Sequence, residues 1–123
     1  MSINRVELVG RVGWVDIKYL ESGTVITKVT VAMKNGKKTE DDKDDYDSFF
    51  VTYMNKAESK NNIAEEIADR VKKGDYIRVI GSLQIDKFTP KGSDKPVENI
   101  SIKGWKYSKV EYDPTTRSWI DLK

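Results

Sequence analysis

The chain has 123 residues, enough for one domain, with 34% charged and 37% hydrophobic residues and no apolar run near the ~18 residues of a membrane-spanning helix. Cysteine and histidine are both absent, which excludes disulfides, thiolate or imidazole metal sites and every catalytic triad built on imidazole. The net charge of +2 is uneven: residues 37–48 hold six acids and three lysines, leaving 19 basic against 14 acidic groups elsewhere, a body suited to a polyanionic partner.

The first strand is read from Asn4 to Gly13, where Val6, Leu8 and Val12 alternate with Arg5, Glu7 and Arg11. Gly10 and Gly13 stand where a strand of a small barrel bends or admits another backbone. No charged-then-apolar leader precedes it, so no signal peptide is expected, and the lack of cysteine fits a cytoplasmic, nucleoid-associated location. Trp14 to Ser22 form the first connection, turning at Glu21-Ser22-Gly23. Thr24 to Met33 alternate again and predict the second strand, with Val25, Val29, Val31 and Met33 on one face. The acidic stretch that follows predicts a mobile hairpin connection.

Ser48 to Met54 is rich in aromatic and β-branched residues and predicts a third strand. A single helix follows. Asn62 and Glu65 have capping-box spacing, Ile63, Ile67 and Val71 form an apolar stripe, and Lys72, Lys73 and Gly74 are expected to end it. Asp75 to Phe88 predicts a fourth strand with Ile77, Val79, Leu83 and Ile85 on one face. Residues 89–96 predict a loop and Val97 to Val110 a fifth strand; no structure is assigned to the tail at 113–123.

The order β-β-β-α-β-β predicts an all-β fold with one helix, the five-stranded Greek-key barrel of the OB-fold, over residues 1–112. Such a barrel binds oligonucleotides on strands two and three and the first and last hairpin loops. Here those are Lys28 to Lys34, Phe49 to Tyr53, Trp14 to Ser22 and Phe88 to Pro96.

The ordered motifs resemble the bacterial and phage single-stranded DNA-binding proteins across residues 3–110. Asn4 to Gly13 is similar to that family's N-x-V-x-L-x-G-x-[LV]-G opening. Gly23-Thr24 through Ala32 resembles its second strand and Phe49-Phe50-Val51 its aromatic-led third. Lys72 to Asp75 with Val79 to Leu83 resembles its [LV]-x-K-G-x-x-[VI]-x-[VI]-x-G-x-L run. Two features depart from it. Residues 119–123 hold a single acid where the family's cellular members carry an acidic tip that recruits other proteins. Lys34 to Lys37 stand where the family often has a tryptophan.

The resemblance implies sequence-independent coating of single-stranded DNA in replication, recombination or repair, as a homo-oligomer (tetramer or dimer), with no catalysis and no cofactor or metal. Unstacked bases need aromatic platforms and phosphates need cations. Phe49, Tyr53 and Phe88 are the expected platforms. Phe49, Val51 and Tyr53 are set outward as the resembled family's strand lies, the alternative being that Phe50 faces out. Phe88 shares its parity with Arg78, Ser82 and Gln84, opposite the aliphatic set. Trp14 either stacks a base or caps the barrel end. Trp105 and Tyr107, opposite Ile100 and Ile102, stack a base, cover the rim or pack a subunit. The expected phosphate contacts are Arg5, Arg11, Lys18, Lys28, Lys34, Arg78, Lys87 and Lys91, while Lys72 and Lys73 are assigned to the helix dipole. The run Asp41, Asp42, Asp44, Asp45 reads as solvating, or as a competitor for the groove, and lacks the pattern of a calcium loop. The rivals are an OB-fold protein-interaction module of a primosome and a single-stranded RNA binder.

Overall fold

The computed structural model describes residues 2–57, 60, 62–92 and 94–122, with Phe88 described by its backbone alone. Six strands and one helix follow in the order β1 (Val6–Tyr19), β2 (Val25–Lys38), β3 (Asp44–Asn55), α1 (Ile63–Arg70), β4 (Tyr76–Phe88), β5 (Val97–Asp113) and β6 (Ser118–Asp121). Antiparallel pairing runs β3-β2-β1-β4-β5-β6, and a short parallel contact of Val51 with Ile102 and Thr52 with Lys103 joins β3 to β5. That contact closes five strands into the expected OB barrel.

The inward faces are those the alternation predicts for β1, β2 and β4. Val12, Val29, Val31, Ile77 and Val79 are buried, and β3 adds Val51 and Tyr53. Each aliphatic side chain so buried contributes roughly 1.5–3 kcal/mol. Gly10 is needed at the tight curve of β1, because a Cβ there would stand 2.6 Å from the Ala32 carbonyl oxygen. Gly13 marks a bulge, between the pairs Val12–Val31 and Trp14–Thr30.

Helix α1 plugs one end of the barrel with Ala64, Ile67 and, just past its last turn, Val71. Its start differs from the capping-box reading. Asn62 makes no side-chain cap; instead Asn55, at the end of β3, accepts the Ala64 N–H at 2.9 Å. Thr27 donates to the Ala64 carbonyl at 2.6 Å, so the two buried polar side chains among the described residues are both spent on seating the helix. The helix also ends earlier than expected. Its last turn carries Arg70, and Lys72, Lys73 and Gly74 lie in the turn to β4, where the Gly74 N–H donates to the Val12 carbonyl.

Three connections are more ordered than the composition suggests. β1 runs unbroken in sequence through Tyr19, so Trp14 is a strand residue and not part of a loop. β2 and β3 extend into the acidic stretch, leaving a turn at residues 39–43 tied by Lys34 and Lys38 to Asp44. The tail folds back as β6 along the end of β5.

Candidate nucleic-acid interface

Beyond Gly81 strand β4 loses its partner β1, and β4 and β5 continue together as a two-stranded arm over residues 83–102. The alternation of β4 persists along that arm, but no core remains beneath it. Leu83, Ile85 and Ile100 are therefore exposed, Ile100 at 73%. Leu83 and Ile100 of the arm and the exposed side chains of β3 enclose an open groove of about 950 Å3. Phe49, Phe50, Thr52 and Met54 form one side, Leu83, Gln84, Ile100 and Ser101 the other, and Lys28 and Lys103 supply cations.

The facing of β3 is the reverse of the expected one. Val51 and Tyr53 are fully buried, while Phe50 is 58% exposed. Tyr53 is therefore no stacking platform. Its hydroxyl donates to the Lys106 carbonyl at 2.8 Å, and its ring meets Tyr107 edge-on at 6.2 Å. Phe49 shares the inward parity but sits where the barrel opens, so it is partly exposed and still lines the groove. Phe50 points outward with the Lys28 ammonium 5.6 Å from its ring centre, a cation beside a stacking surface.

The other expected residues divide. Arg5 pairs with Glu7 at 3.6 Å and lies 5.8 Å from the Trp105 ring, on the barrel wall. Trp105 occupies a bulge between Ile80–Lys106 and Gly81–Gly104, which reverses the parity of β5. Tyr107 is thereby turned against the core, where its hydroxyl donates to Glu66 at 2.7 Å. Burial and that carboxylate push its phenol up to about 12. Trp14 is 61% exposed but lies beside Ala68, Val71, Lys72 and Lys73 at the helix end, away from the groove.

Arg78 is committed to structure. It meets Glu7 at 3.6 Å, Asp121 at 3.0 Å and the Trp119 carbonyl at 3.1 Å, which holds β6 against β4. Lys34 pairs with Asp44 at 3.2 Å, and that carboxylate raises its ammonium above the ordinary range. The same contact and the Lys38 hydrogen bond lower Asp44 below the usual carboxylate range, Lys38 most. Lys87 meets Glu98 at 3.6 Å across the arm, and Lys91 is exposed at its tip. Lys18 is exposed on β1 and Arg11 on the opposite side of the bulge. The expected platform Phe88 has its side chain outside the described residues.

The groove thus gathers Lys28 and Phe49 from the expected set and adds Phe50, Met54 and Lys103. Phe50 was visible as the alternative facing of β3. Lys103 carries no sequence signal beyond its charge; only the β3–β5 closure brings it beside Thr52. No group of three or more acidic side chains placed to hold a metal ion occurs among the described residues.

A family model described as the single-strand binding protein family matches residues 3–108. The chain is 41% identical over 90 residues to single-stranded DNA-binding protein 1 of Nostoc sp. (strain PCC 7120 / SAG 25.82 / UTEX 2576), covering 72% of this chain and 67% of the relative. It is 32% identical over 119 residues to single-stranded DNA-binding protein 1 of Synechocystis sp. (strain ATCC 27184 / PCC 6803 / Kazusa), covering 90% and 92%. Among solved structures, a Plasmodium falciparum SSB complex with ssDNA superposes with a TM-score of 0.69 at 24% identity, covering 90% of this chain and 97% of that one. That superposition supports the OB-fold.

Proposed function

This chain belongs to the single-strand binding protein family, and from that premise we propose that it coats single-stranded DNA without sequence preference during replication, recombination or repair. The groove between β3 and the arm carries this reading. It sets the exposed rings of Phe49 and Phe50 beside Lys28 and Lys103. Aromatic faces accept any base, at ~1–3 kcal/mol for each one stacked, and cations along the groove meet the phosphates. The protein works by occupancy, not by turnover. Its setting is the cytoplasm, and it self-associates as a dimer or tetramer, as the resemblance to its family implies.

The test is intrinsic fluorescence during titration with a pyrimidine homopolymer at low and high salt, with duplex DNA and RNA as competitors. Tight binding of the single strand that neither competitor displaces is the expected result. Preference for RNA, or binding lost at physiological salt, would overturn it.

A further inference from the structure

A second cleft, of about 940 Å3, opens on the barrel wall beside the β3 groove. Arg11 of β1 marks its centre, paired with Ala32 of β2 on one side and Tyr76 of β4 on the other. Tyr46 of β3 lines it from the β2 side; Tyr76, Tyr112 and Trp119 line it from the other. The Trp119 ring stacks on Tyr76 at 5.2 Å and meets Tyr112 at 5.2 Å. All three tyrosines are about half exposed, so this aromatic cluster is not sequestered in the core. Lys34 also lines the cleft but is paired with Asp44, whereas the Arg11 guanidinium has no ion pair among the described residues.

The two grooves adjoin along one ladder. Ser48, which lines the first, is the register partner of Ala32, which lines the second, and Tyr46 pairs with Lys34 two positions further along, past the Met33–Asp47 pair. Ser48 and Tyr46 are two residues apart on β3, about 7 Å. The path between them is short.

We infer that a single strand filling the β3 groove continues past Ser48 into this second cleft, where a further base stacks on Tyr46 and Arg11 takes its phosphate. This rests on the proposed function and adds to it a second contact surface, lined by β1, β2, β3 and β4 and walled on one side by Tyr112 and Trp119 of the β5–β6 hairpin. Trp119 is the built-in reporter of that contact, held in place from behind by Arg78.

The experiment uses the full chain with Trp14→Phe and Trp105→Phe, so that Trp119 is its one indole. Homopyrimidine oligonucleotides of increasing length are titrated in, with binding followed independently by the anisotropy of a labelled 5′ end. Beyond a threshold length the strand should quench Trp119. Tyr46→Leu, and separately Arg11→Gln, should weaken binding of the long strands by about fivefold or more, the loss of one stacked base or contact. Both should leave short-strand affinity unchanged. Tight binding of short and long strands with Trp119 unquenched would overturn the second contact and leave the β3 groove standing. A Trp119 change that follows protein concentration without DNA would overturn it in favour of a second copy in the cleft. Failure of every length to bind would remove the proposed function itself.

Discussion

The ring of Tyr53 lies against the bare Cα of Gly104, in space that any side chain at position 104 would have to share. Gly104→Ala is therefore expected to destabilise the barrel by about 1–3 kcal/mol through overpacking. Tyr53→Phe leaves the Lys106 carbonyl without its partner, a loss of about 1–3 kcal/mol. Urea denaturation measures both. The DNA affinity of the folded fraction should not change; a loss of affinity on Tyr53→Phe would return Tyr53 to the binding surface.

Phe50 should behave in the opposite way. Phe50→Ala removes an exposed ring, so the expected loss is in affinity, about 5- to 150-fold for one stacked base. The urea midpoint should barely move. Equal losses of stability and affinity would mean that Phe50 supports the groove without touching bases.

The salt dependence assigns the cations. For single strands, log K falls against log salt with a slope near −0.7 for each phosphate neutralised. Lys28→Gln and Lys103→Gln are each expected to flatten that slope by about 0.7, while Lys87→Gln, paired across the arm with Glu98, flattens it less. Titrations at four salt concentrations distinguish these outcomes.

Tyr107 predicts an alkaline limit to stability. Burial and the Glu66 carboxylate raise its phenol to about 12, so the folded chain keeps a proton that the unfolded chain loses near pH 10. The stabilisation is full below pH 10 and declines as the pH rises toward 12. Tyr53, also raised by burial, adds to the same decline. Urea midpoints between pH 8 and 11.5 should fall less steeply in Tyr107→Phe than in the parent; parallel declines would place the proton elsewhere.

The barrel was legible because β1, β2 and the first half of β4 bury one face and expose the other, the condition under which a period of two reports structure. Strand β3 was harder. Both of its faces carry large apolar groups, so Phe49-Phe50-Val51 has no internal sign of which parity points inward. Only the fully buried Val51 and Tyr53 decide it. In β5 the bulge at Trp105 defeats simple alternation, moving Tyr107 from the expected outer face to the core. Capping by Asn55 was hidden for a different reason. The donor it satisfies lies nine residues away, beyond any local capping motif. Arg78 looked like every other exposed cation in the sequence; its partners arrive only when β6 folds back.

Asn4 and Leu83 exchange two hydrogen bonds, the side-chain Nδ2 donating to the Leu83 carbonyl at 2.7 Å and the Leu83 N–H donating to Oδ1 at 2.9 Å. A side-chain amide here imitates a strand, adding one rung beyond the last backbone pair at Val6–Gly81. The arm is therefore clamped at its root by Asn4, just ahead of β1. Two segments outside the barrel acquire separate duties. Asn4 fixes the root of the wall that faces β3, while β6, through Trp119, supplies one ring of the aromatic cleft on the barrel wall.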